Sequence, residues 1–268
     1  MIKLHLSGLI FLCLLSLSAQ AIKVPGLYEV EVGVADQSEA VRKKALQSAF
    51  RIVLIKLTGD HQAPGRTALL PLMKQAGNYL QQYRYREVPV IQESGSDETV
   101  QTLETRLWMK FDEANLNQAL RALSEPVWGK ERPSTLIWLA LGDETGRRLA
   151  APEDAPEYFR TIGQRAAQRG IVLIYPLLDL DDNRALRASD IWGGFSGPII
   201  RASSRYHADA ILIGSIESPV AGIWEARWTA FIDNKMANWS SEADLPAAVL
   251  DEGIDKLADI LASEFART

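Results

Sequence analysis

From Tyr28 to Val34 apolar and polar residues alternate, with Tyr28, Val30, Val32 and Val34 on one side and Glu29, Glu31 and Gly33 on the other. A period of two marks a half-buried strand. The period then lengthens. Leu46, Ala49, Phe50, Val53, Leu54 and Leu57 recur at helical spacing and define one helix face. Asp36 with Glu39 has the spacing of a capping box, and Gly59 is placed to end the helix. Residues 68–85 predict a second helix, begun or interrupted near Pro71. Residues 83–92 and 99–112 read as strands joined by a turn at 93–98, and 113–123 as a short helix.

Beyond residue 134 the rhythm changes. The apolar run 135–141 reads as a strand covered on both faces. Residues 156–169 read as a helix closed by Gly170, 171–180 as a strand, 197–206 as a short helix and 208–216 as a buried strand. In 223–233 Trp224, Ala226, Trp228, Ala230 and Ile232 share one strand face, and 234–242 is a turn and edge strand. A final helix from about Asp244 buries Leu250, Ile254, Leu257, Leu261 and Phe265. Alternating strands and helices imply parallel neighbours, and the late hairpins add antiparallel ones. The fold class is α+β / α/β. Two domains are predicted, each a small mixed sheet with helices packed on its faces. They span residues 22–124 (β-α-α-β-β-α) and 135–268 (β-α-β-α-β-β-β-α), joined by a Pro- and Gly-containing linker at 125–134.

Residues 1–21 stand apart. Lys3 precedes an apolar run from Leu6 to Leu17, followed by "SAQA". A run of about 12 residues is too short for a bilayer core, and Ala19 and Ala21 fit a signal peptidase. A cleavable export signal ending at Ala21 and a periplasmic location are expected, with no later membrane-spanning segment. The only cysteine is Cys13, so the chain after Ala21 has no thiol for a disulfide, a nucleophile or a metal site. The net charge of −5 does not suit a nucleic-acid binder.

Candidate chemistry is sparse. His207 and Asp209 border the run "ADAILIGSI", but two residues of separation across a helix-to-strand junction do not make a catalytic pair. "GFSGP" lacks the final glycine and the preceding strand of a nucleophile elbow. His61 is distant from His207. No catalytic residue, metal site or cofactor is assigned. Asp179, Asp181, Asn183 and Asp190 occupy positions 1, 3, 5 and 12 of a calcium-loop pattern, yet Arg184 replaces its essential glycine. The stretch nevertheless leaves the expected carboxyl end of a strand, where open sheets bind ligands. Asp179, Asp182, Asp190 and Trp192 are therefore the candidate binding residues.

The segments "YEVEVGVADQSEAVRKKALQSAFRIVLIKLTGD", "WGKERPSTLIWLAL", "PLLDLDDNRALRASDIWGGF" and "ASSRYHADAILIGSI" resemble an uncharacterised family of exported Gram-negative proteins, domain of unknown function 2066. That family implies no activity, ligand or catalytic residue. Residues 134–268 are also similar in style to the amino-terminal domain of the periplasmic protein TolB, a style shared by lipoprotein activators of cell-wall synthases. This second resemblance implies binding to other envelope proteins. A non-enzymatic envelope protein that binds a protein partner or supports assembly is expected. The alternatives are a carboxylate-dependent hydrolase or cell-wall-modifying enzyme and a small-ligand binding module.

Overall fold

The computed structural model describes residues 22–93, 99–144, 146–220 and 222–266. The expected export signal and the turn at 93–98 therefore fall almost wholly outside the described residues.

The first half builds a three-stranded sheet on one long helix. Strands β2 (Glu29–Gly33), β3 (Leu80–Glu93) and β4 (Thr99–Phe111) lie in the order β2-β4-β3. Helix α1 (Glu39–Thr58) packs on one face of this sheet. Ser38 caps its first turn through Val41, and Gly59 closes it at φ 73°. Phe50, Val53, Leu54 and Leu57 are fully buried, as their spacing predicts. This sheet is antiparallel throughout; the mixed sheet belongs to the second half.

The helix expected over 68–85 shrinks to α2 (Leu70–Lys74), flanked by short 3-10 turns. Leu80 onward belongs instead to β3, which pairs with β4 from Leu80↔Phe111 to Glu93↔Thr99. Pairing with a strand remote in sequence overrides local helical spacing, a general weakness of propensity. Helix α3 (Glu113–Ala122), capped by Asp112, closes this half and adds Leu116 and Leu120 to its core.

The expected linker is a strap pinned by buried side chains. β1 (Ile22–Lys23) pairs with β5 (Glu131–Arg132), and Trp128 and Arg132 are both inaccessible. The Trp128 N–H donates to Leu57 O at 2.6 Å. Arg132 donates to five backbone carbonyls: Gly129 at 3.0 Å, Trp128 at 2.9 Å, Arg169 at 3.2 Å, Gly170 at 3.0 Å, and Lys56. Lys56 and Arg169 lie in the last turns of two helices, where carbonyls lack helical partners and the dipole is negative. Burial pulls the Arg132 pKa down to about 9, so it stays charged at neutral pH.

The second half is one mixed sheet, in the order β11-β10-β9-β6-β7. Its strands are β6 (Ser134–Asp143), β7 (Gly146–Ala150), β8 (Val172–Ile174), β9 (Ala210–Val220), β10 (Ile223–Ile232) and β11 (Lys235–Ala243). β8 and β9 run parallel to β6, and the other pairings are antiparallel. Helices α4 (Pro156–Arg169) and α8 (Pro246–Phe265) cover one face around Ile137, Leu139, Leu212, Trp228 and Leu257. Three short helices cover part of the other face around Leu136, Trp138 and Ile213: α5 (Leu180–Ala185), α6 (Ala188–Trp192) and α7 (Ser196–Ser203). Trp138 and Trp228 are buried, as their strand patterns predict.

Arg169, at the end of α4, is also buried and ties the two halves together. It donates to Asp255 at 2.8 Å and Asp259 at 2.5 Å on α8, and to Gly59 O at 2.8 Å beyond α1.

Candidate functional site

The stretch containing Asp179, Asp182, Asp190 and Trp192 forms the outer layer α5–α7. β8 ends at Ile174, six residues before the strand read from sequence stops. The freed chain turns over the sheet, and Asp179 caps α5 by accepting from the Asp181 and Asp182 N–H groups at 3.1 and 3.0 Å.

Asp179 and Asp182 come together, but around protein groups. Arg205, just past α7, grips both oxygens of Asp179 at 2.8 and 2.9 Å and reaches Asp182 at 3.2 Å. The Arg205 contacts and the helix-cap bonds hold the Asp179 pKa down at about 2. Asp182 is fully buried and accepts from the Leu178 N–H at 2.9 Å and from the Tyr206 hydroxyl. Tyr206 in turn accepts from the Leu177 N–H at 2.8 Å. Burial, reinforced by Asp182, pushes the Tyr206 pKa up to about 12. These groups latch residues 177–182 onto the end of α7, leaving the buried carboxylate committed to fixed donors. Asp182→Ala is expected to free this loop and cost about 1–3 kcal/mol through the Leu178 donor and Tyr206 hydroxyl left without their partner. Chemical denaturation and proteolysis within 175–187 measure it; unchanged stability and unchanged cleavage would contradict the latch.

Asp190 is separate from that latch. It accepts from the Arg187 N–H at 2.8 Å and fixes the start of α6. Trp192, at the end of α6, lies over Gly142 of β6, where a Cβ would come within 3.1 Å of its ring. The Arg147 guanidinium of β7 stacks 4.7 Å from the ring centroid. The Trp192 indole N–H is buried and, among the described residues, lacks a hydrogen-bond partner.

His207 occupies the tight junction between α7 and β9, with φ 50°. Asp209 does not face it as a catalytic partner. Its carboxylate accepts from Ser134 N and Oγ, both at 2.8 Å, and clips the starts of β6 and β9 together. The histidine motif therefore marks the entrance to a buried strand. His61 is on the other half's loop, 3.4 Å from Asp259.

Sequence patterning does not single out the groups that most distinguish this face. Leu177 and Leu180 are 71% and 73% exposed, Phe195 57% and Ile200 50%. Arg147 and Arg187 line the crevice beside Trp192. "YPLLDL" resembles a strand interior, which assigns its leucines to the core. "GRRLA" is too short and too polar to register as a strand. The early end of β8 leaves Leu177 and Leu180 outside any strand, and the formation of β7 sets Arg147 beside Trp192.

Residues 21–129 match a family described as a domain of unknown function, DUF8605. This is an uncharacterised family, as the sequence resemblance implies, but the number matched is not 2066. No curated protein matches the chain. Solved structures include the C-terminal domain of LpoB from Salmonella enterica, 17% identical over 41% of this chain and 80% of that one, with a TM-score of 0.28. An uncharacterised protein is 11% identical over 50% of this chain and 99% of that one, with a TM-score of 0.22. Scores this low support no functional transfer.

Proposed function

We propose that the protein is an exported, non-enzymatic binding protein of the cell envelope, and that it docks a protein partner through the α5–α7 layer. The observation that carries this reading is the exposure of Leu177, Leu180, Phe195 and Ile200 within one short stretch. Isolated apolar residues on a surface are ordinary, but a concentration on one layer is characteristic of interaction sites. Asp179, Asp182 and Asp190 are engaged by Arg205, Tyr206 and backbone donors. The expected export signal and the style shared with the TolB amino-terminal domain support the compartment and partner class. Among the described residues no helix is long and apolar enough to cross a membrane.

A photo-crosslinking amino acid placed at Leu180 or Phe195 in living cells tests the proposal. Both positions are expected to trap the same envelope protein, identified by mass spectrometry. Met236, also exposed but on β11, serves as the control and should not trap it. Equal trapping at Met236, or none at Leu180 and Phe195, would overturn the assignment.

A further inference from the structure

The second sheet has an open edge beside this layer. β6 pairs with β9 along one side, while its other side is shared by β8 at Ser134–Leu136 and β7 at Leu139–Asp143. β7 is thus an outer strand. Asp143 and Gly146 close the β6–β7 hairpin, so alternate residues of β7 turn their peptide groups away from β6. Among the described residues, Gly146–Ala150 make backbone hydrogen bonds only within the β6 pairing.

A cavity of about 510 Å³ touches Arg147, Arg148 and Leu149 in succession, with Leu178 and Arg187 opposite. Successive residues of a strand face opposite sides of a sheet. A space that meets three in a row therefore follows the strand's edge. A second cavity of about 470 Å³ shares Arg147 and Arg187 and continues to Trp192 and Gly193. Together they form an open crevice between β7 and the α5–α6 layer, next to the unpaired edge of β7.

The groove is cationic although the chain carries a net charge of −5. Among the described residues Arg147 has a 3.5 Å ion pair with Glu217, and Arg148 a 3.9 Å pair with Asp143. Among the described residues Arg187 has no ion pair. Asp154 is the acidic residue in the lining. Free backbone donors and acceptors at a sheet edge recognise an extended peptide, while flanking side chains select its sequence.

We infer that the groove along β7 takes an extended acidic segment of a protein partner, which adds as a strand while its carboxylates meet Arg147, Arg148 and Arg187. This deepens the proposed function and rests on reading that face as a binding surface. Charge complementarity selects the occupant, and the trough beside an unpaired strand selects its extended form. The Trp192 ring, already under Arg147, marks the far end of the groove.

A dye-labelled eight-residue peptide alternating glutamate and threonine, with blocked ends, is the probe, and fluorescence anisotropy on the full-length protein reads binding. Its lysine counterpart should not bind. Arg147→Glu with Arg187→Glu should weaken binding at least about tenfold, as reversal of close charge pairs does, while circular dichroism stays unchanged. Two further peptides, N-methylated on alternate sets of residues, separate strand addition from simple charge attraction. One set should abolish binding and the other preserve it, because only one edge of an added strand faces β7. Equal binding by both, or comparable arginine-dependent binding to phosphatidylglycerol vesicles, would overturn the inference. Persistence of the Leu180 and Phe195 crosslinks in the double arginine variant would sink the acidic-segment inference alone. Loss of those crosslinks from the wild-type protein would remove the binding surface itself.

Discussion

Arg132→Met is expected to lower the unfolding free energy by about 3–5 kcal/mol, because it leaves several buried main-chain acceptors without their donor. Replacing a buried ion pair by apolar side chains is often neutral, since both charges disappear. Arg132 differs because its partners are main-chain carbonyls of Lys56, Trp128, Gly129, Arg169 and Gly170. Substitution removes the donors and leaves every acceptor in place. The loss should also loosen the halves from one another, since the carbonyls belong to the ends of α1 and α4 and to the strap between the sheets. Urea denaturation measures the effect, and Arg132→Lys separates charge from geometry. An ammonium cannot span the positions reached by a guanidinium fork, so it should recover only a minor part. Full recovery by Lys, or wild-type stability in Met, would show that the strap needs no fork at this position.

Leu257→Ala is expected to cost about 2–5 kcal/mol, the sum of lost transfer energy and the cavity left behind. Leu257 is inaccessible and belongs to the core shared by α8, α4 and the second sheet. Little can move to fill the gap. Trp228 is held between Gly214 of β9 and Gly253 of α8, where an added Cβ would lie 2.5 and 2.3 Å from its ring. α8 is therefore seated by a fixed indole and cannot settle inward freely. Leu245→Ala, at an exposed position just before α8, is the control and should leave stability within about 0.5 kcal/mol of wild type. A thermal midpoint unchanged by Leu257→Ala would place α8 outside the cooperative core.

The legible parts of the fold were those with a long, unbroken period. In α1 and α8 the apolar spacing persists over several turns, and the same faces are buried, with Phe265 at the end of α8 only half-buried. β6, β9 and β10 were legible from apolar runs or strict alternation. The site was less so. Asp179 and Asp182 stood out in sequence as an acidic run, but the distant Arg205 and Tyr206 determine their role. The leucines of "YPLLDL" looked like core because a sequence does not reveal that β8 stops after three residues. β7 is not legible in the sequence because five residues, two of them arginine, give no usable period.

By itself the sequence determined which stretches carry a buried face, that no disulfide holds the chain beyond Ala21, and that the second half alternates strand and helix. Those properties follow from local periodicity and composition, which need no knowledge of neighbours. Tertiary structure decided the rest. It made the expected linker a strap pinned by buried side chains, because Arg132 finds two helix ends that are remote in sequence. It turned an acidic loop into a latch, because Arg205 and Tyr206 return to it from the end of α7. It also left β7 as an open edge beside Arg187 and Trp192, because β8 and β7 divide one side of β6 between them. Each outcome depends on which distant groups meet, and a one-dimensional pattern contains no such distance.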